Sequence, residues 1–208
     1  MQMIKPIETQ YNGLRFRSRL EARWAVFFDT LGVEYEYEPE GFELPSGARY
    51  LPDFRVKCYG TRGGAWGHGV ESYGAEIIPF DLWVEVKGNM TQEDADRIIE
   101  FSNSATIGKD ISYRRPNPVL ILPNIPKDVD DALCTSYSDN REWFGATPLN
   151  YELIDGDWFG ACPAAHEGKF YLFGADWNYI NDSDASMTEI AFSKARQARF
   201  EYAEREME

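Results

Sequence analysis

An α/β fold with a helix–three strands–helix–strand core is what this sequence predicts. Three observations carry that expectation. An apolar stripe at helical spacing runs through residues 18–31, alternating or wholly apolar strand segments follow it, and a second capped helix separates the last two of them. A β-rich extension and a terminal helix complete the chain. The expected organisation is a core over 1–123 and an aromatic-rich extension over 124–208 packing on it.

The first helix shows Leu20, Trp24, Phe27 and Leu31 on one face, Ser18 and Glu21 as an S-x-x-E capping box, and Gly32 as a stop. Val33 to Glu38 alternates as a half-buried strand does. A short segment, Phe42–Leu44, lies among turn residues. A second strand reads over 49–56, with Pro52 bending it near its start. Residues 58–79 hold six glycines and read as an inserted loop. Strand character resumes over Ile77–Lys87. Thr91 caps a helix over 92–104, with Glu93 and Asp94 in its first turn. Pro118–Leu122 is short and wholly apolar, as a strand buried on both faces is. Beyond it the reading is a hairpin within 151–174 and a helix over 185–205, with Met187, Ile190, Ala191, Ala198 and Tyr202 inward.

Composition narrows the function. The 21 basic and 35 acidic residues give a net charge of −14, which argues against a passive coat for nucleic acid. Residues 1–63 carry nine of each sign, so the excess of acid lies entirely in 64–208. A polyanion would therefore meet the N-terminal third. Three scattered cysteines make no CxxC pair, and two histidines exclude a multi-histidine metal site. Cys162 and His166 are half of a zinc knuckle with no second pair. No apolar run is long enough for a membrane span, and the N-terminus lacks a signal-peptide core, so a cytoplasmic location is expected.

Three pieces carry chemistry: Glu21 on the first helix, Pro52-Asp53 in the second strand, and Glu85-Val86-Lys87 at the end of the third. Residues two apart share a strand face, so Glu85 and Lys87 point one way and Val84 and Val86 the other. If the two strands are neighbours, Asp53 reaches the same point. Two like charges about 4 Å apart repel by about 4 kcal/mol at an effective dielectric near 20. A hard divalent cation relieves that cost, and it suits phosphodiester hydrolysis. Separately each piece has an ordinary explanation: a cap for Glu21, a turn for Pro-Asp, an exposed strand face for Glu-Val-Lys.

Together these residues resemble the PD-(D/E)XK nuclease superfamily. FRSRLEARWAVFFDTLGVEYEYEPEGF, YLPDF and WVEVKG look like small phage and bacterial nucleases, and more distantly like the endonuclease subunit of cut-and-paste transposases. The resemblance covers residues 12–122. It implies a restriction-endonuclease-like αβββαβ core with a mixed central sheet, and a DNA endonuclease dependent on Mg²⁺ or Mn²⁺. It implies Asp53, Glu85, the Val86 carbonyl and Glu21 at the metal, with Lys87 at the nucleophile. Asp53 and Glu85 stand 32 positions apart, wider than is usual in that family, and no Q-x-x-x-Y follows the lysine.

Arg15, Arg17, Arg19 and Arg23 either contact substrate phosphates or form a solvated face paired with glutamates. Arg62, with Trp66, His68 and Tyr73, belongs either to a lid that grips nucleic acid or to a plain surface loop. The rival to an enzyme is a non-catalytic acidic protein on the same fold, one that binds a basic partner or mimics DNA. A middle case is a weak nuclease recruited to DNA by a protein partner.

Overall fold

The computed structural model describes residues 7–61, 77–104, 119–129, 150–154, 157–159, 162–173 and 182–200. A six-stranded mixed sheet lies between two helices on one face and one helix on the other. No described helix is long and apolar enough to cross a membrane.

The described chain opens with a hairpin that the sequence reading did not include, β1 (Thr9–Tyr11) and β2 (Leu14–Phe16). Asn12 and Gly13 form its turn with φ of 49° and 78°. Asn-Gly is the pair that such a two-residue turn favours, so the signal was present. Helix α1 (Arg19–Leu31) follows. The Ser18 hydroxyl caps it by accepting the Glu21 N–H at 3.2 Å. The reciprocal half of the expected capping box is displaced by one residue, because the Glu21 carboxylate accepts the N–H of Arg17 instead. Gly32, at φ 68°, ends the helix. Its N–H donates to the carbonyl of Asp29 and that of Val33 to Phe28, the double closure of a left-handed helix end.

The strand expected over 33–38 is β3 (Tyr35–Tyr37). The strand expected over 49–56 is two strands. Arg49–Tyr50 (β5) pairs with Phe42–Glu43 (β4) in a small separate ribbon, and Phe54–Thr61 (β6) enters the main sheet. Pro52 lies in the break, having no N–H to give to a ladder. β6 pairs antiparallel with β7 (Ile77–Val86), with Phe54 opposite Val84 and Thr61 opposite Ile77. Residues 58–61 and 77–79 thus belong to the sheet, which shortens the expected insertion at both ends. Its remainder, including Arg62, Trp66, His68 and Tyr73, lies outside the described residues.

Helix α2 (Gln92–Asn103) carries a full capping box, Thr91 with Asp94, and crosses from β7 to the parallel strand β8 (Val119–Leu122). β8 is buried on both faces, as its apolar run predicts. The span expected to hold one hairpin holds two, β9 (Asn150–Ile154) with β10 (Asp157–Phe159) and β11 (Cys162–His166) with β12 (Lys169–Phe173). β12 joins β6 in parallel at Phe170 opposite Cys58, giving the order β11-β12-β6-β7-β8, with β3 also on β6.

Helix α3 (Asp182–Gln197) packs on α1 through Phe192, which stacks on Phe27 at 4.8 Å and meets Trp24 edge-on. Its inward residues are Asp184, Thr188, Ala191, Phe192 and Ala195. Met187 and Ile190, expected inward, are 42% and 44% exposed, and Tyr202 lies outside the described residues. Trp24, Phe27, Phe28, Phe54, Val84 and Leu120 build the core under α1 and α3. Trp83, Ile98, Phe101 and Ile121 build the core under α2.

Candidate active site

The break at Pro52 that separates β5 from β6 also sets the position of Asp53. The Asp53 carbonyl accepts the N–H of Glu38 at 2.9 Å. Its side chain turns toward β7, where Oδ2 accepts the N–H of Val86 at 2.6 Å. Phe54 faces the α1 side of the sheet with Val84 and Val86. Asp53 stands one residue before Phe54, and Glu85 one residue after Val84, the register partner of Phe54. Both are buried, at 3% and 5% exposure.

Glu85 sits beneath α2. Its Oε2 accepts the hydroxyl of Tyr50 at 2.9 Å, and its Oε1 lies 3.0 Å from Lys87 Nζ. Lys87 also reaches Asp94 Oδ1 at 3.3 Å, in the first turn of α2. The Lys87 N–H donates to the Leu122 carbonyl at 2.8 Å and continues the ladder to β8. Glu85 and Lys87 thus share one side of the strand, as the alternation predicts.

Glu21 enters from α1 and is 7% exposed. Its Oε1 accepts the Ser18 hydroxyl at 2.7 Å, and its Oε2 accepts the Tyr37 hydroxyl at 2.6 Å and the Arg17 N–H at 3.1 Å. Between Glu21 and Asp53 lies Arg17. Its Nη2 is 2.5 Å from Asp53 Oδ1, and its Nε is 2.5 Å from Glu38 Oε1.

Burial, then the charges of Glu85 and Glu21, push the Asp53 carboxyl up to about 8, against the Val86 N–H and Arg17. Burial also raises Glu85, against Lys87 and Tyr50. Burial favours neutral Lys87, but the carboxylates of Glu85 and Asp94 outweigh it and hold the amine protonated. Asp94 is pulled down: Thr91 and Lys87 overcome its partial burial.

A cleft of about 720 Å³ opens over this ground, with Arg17, Glu21, Asp53, Val86, Lys87 and Asn124 in its wall. Glu85 is not in that wall. Four remote stretches therefore meet around Asp53, yet among the described residues no three carboxylate, histidine or cysteine side chains form a group that could hold a metal ion. The arginines divide. Arg17 and Arg19 line the cleft, Arg15 pairs with Glu8 beside the first hairpin, and Arg23 is half-buried with an Nε that meets no hydrogen-bond partner among the described residues. Cys162's side chain is not described, and His166 pairs with Asp184 of α3 at 2.7 Å.

Four residues at the site escaped the sequence reading. Tyr37 and Tyr50 read only as strand residues, Glu38 as the strand's end and Asp94 as a helix-dipole partner. Only the fold brings Tyr50 to Glu85, 35 positions away. Comparison with protein-family models, with curated proteins and with solved structures finds no match for this chain.

Proposed function

We propose that the protein is a metal-dependent endonuclease that hydrolyses DNA phosphodiester bonds, with a restriction-endonuclease-like core and a PD-(D/E)XK site. The single observation that carries this reading is the buried Asp53, which lines an open cleft with Lys87, whose amine pairs with the equally buried Glu85. Burying two carboxylates costs stability, and a structural role would not require it.

The donor set is all oxygen, which fits magnesium or manganese held by one or two carboxylates, waters and substrate phosphate. Asp53 and Glu85 would hold the ion, with the Val86 carbonyl and, directly or through water, Glu21. A bound magnesium ion supplies Lewis-acid polarisation of the phosphate and lowers the pKa of a water. The remaining work falls to the chain. The Val86 N–H fixes one oxygen of Asp53 and leaves the other to Arg17. Lys87, paired with Glu85 and Asp94, orients the attacking water and offsets charge as it grows on the phosphate. Arg17 and Arg19 meet the incoming backbone.

Plasmid nicking with Mg²⁺ or Mn²⁺ tests the reading. Cleavage is expected from the parent and not from Asp53→Ala or Lys87→Ala. Equal rates in all three would end the assignment in favour of the acidic binding protein, as would a parent that neither cuts nor binds metal.

A further inference from the structure

We propose that Arg17 is a resident counter-cation of this site, seated on Asp53 where a divalent ion would sit, so that metal binding must expel its guanidinium from the carboxylate. The proposal rests on the nuclease reading and concerns how that site is loaded.

Asp53 Oδ2 accepts the Val86 N–H at 2.6 Å, and Oδ1 is the oxygen that Arg17 meets. Arg17 Nη2 stands 2.5 Å from that oxygen. A magnesium ion bonds to oxygen at about 2.0–2.1 Å and keeps several waters in an octahedron, so a guanidinium at that distance stands in its shell.

Arg17 is built to leave. Its backbone is pinned, with the N–H within hydrogen-bonding distance of Glu21 Oε2 and of the Tyr37 hydroxyl. Its side chain is 52% exposed and borders the cleft. The same guanidinium lies against a second acid, with Nε 2.5 Å from Glu38 Oε1 but not aligned for a hydrogen bond. Glu38 is one of three described non-glycine residues with positive φ, at 45°, and its N–H is tied to the Asp53 carbonyl. The chain therefore holds an acid next to Asp53 in an uncommon backbone conformation. Rotation about the aliphatic bonds of Arg17 swings the rigid guanidinium off Asp53 and Glu38 together, toward the cleft and an entering phosphate.

Calorimetric titration of the full chain with Mn²⁺ alone, without nucleic acid, tests this. A latch closed about nine-tenths of the time weakens apparent affinity about tenfold, so Arg17→Met is expected to bind Mn²⁺ about tenfold tighter than the parent. Arg17→Lys, too short to span both acids, is expected to fall between them. It also serves if the methionine variant folds poorly. Arg19→Met removes the same charge from the same cleft and separates displacement from a general field effect, so its affinity is expected to stay within about twofold of the parent. Equal tightening by Arg17→Met and Arg19→Met, or none by Arg17→Met and Arg17→Lys, overturns the proposal. Parent binding that disappears in Asp53→Ala would leave the nuclease reading standing in that event. No Mn²⁺ binding by the parent or either Arg17 variant overturns both.

Discussion

Asp53 stands one residue before Phe54 and Glu85 one residue after Val84, the register partner of Phe54; both are almost wholly withdrawn from water, and the charge of Glu85 raises the Asp53 carboxyl. Two carboxylates so placed cannot both ionise cheaply in the folded chain, whereas they do so freely in the unfolded one.

That difference makes stability depend on pH. The Asp53 carboxyl moves from 3.8 to about 8 on folding, so between those values the folded chain binds more protons than the unfolded one. Stability from this group is then full at the acid end and falls as pH rises toward 8. Asp53→Asn keeps an acceptor for the Val86 N–H and removes the titration. In denaturant melts with EDTA, the variant is expected to gain about 1–3 kcal/mol on the parent at pH 8, with the gap closing toward pH 4. A gap independent of pH would contradict the argument.

The two tyrosine–carboxylate bonds are not equivalent. Glu85 Oε2 receives the Tyr50 hydroxyl in a buried setting, so Tyr50→Phe leaves a buried carboxyl oxygen without its donor and is expected to cost about 1–3 kcal/mol. Tyr37→Phe leaves Glu21 Oε2 with the Arg17 N–H and Oε1 with the Ser18 hydroxyl, and is expected to cost about 1 kcal/mol or less. Urea midpoints of the two variants check the order, and a reversal would show that Glu21 is the more dependent carboxylate.

What could be read without coordinates follows the range of the interaction. Local signals read true: the Ser18 cap, the Gly32 stop, the α1 stripe and the β8 apolar run each act within one turn or strand. The alternation of Val84, Glu85, Val86 and Lys87 put the right pairs on the right faces. Long-range consequences did not read. Nothing near Phe170 shows that its strand will join Cys58, and nothing near Arg17 shows that it will sit on Asp53. The inward face of α3 is legible in part: Ala191 is buried as expected, whereas Met187 and Ile190 look apolar in isolation yet are exposed, and Ala195 and Phe192 hold the seam with α1. The split at Pro52 was half legible, since proline announces a bend but not that Arg49–Tyr50 would pair with Phe42–Glu43.

Gly32 offers a clean test of a backbone requirement. It holds φ at 68°, and among the described residues beyond its chain neighbours no atom stands within 4 Å of where a Cβ would be. Gly32→Ala therefore meets no clash and pays only for the left-handed conformation, about 1 kcal/mol. Gly32→Asn is expected to recover part of that, because asparagine tolerates this region better than alanine. Thermal melts compare the three, and an alanine variant as stable as the parent would mean that the α1 terminus relaxes to another closure.

Phe28 joins the helix to both halves of the chain. Its ring lies 5.5 Å from Phe54 on β6 and 5.9 Å from Phe170 on β12, each edge-on, and it is fully buried. Strands from residues 54–61 and 169–173 therefore share one core beneath one helix, and they should unfold together. Phe28→Ala is expected to cost about 3–5 kcal/mol, and the loss should reach both strands equally. Native-state hydrogen exchange reads this directly. In the parent, the slowest amides of β6 and β12 should open with the same free energy, and in the variant both should fall by the same amount. If β12 amides exchanged far faster than those of β6 in the parent, and Phe28→Ala moved only the latter, the C-terminal hairpin would be a separate cooperative unit resting on the sheet.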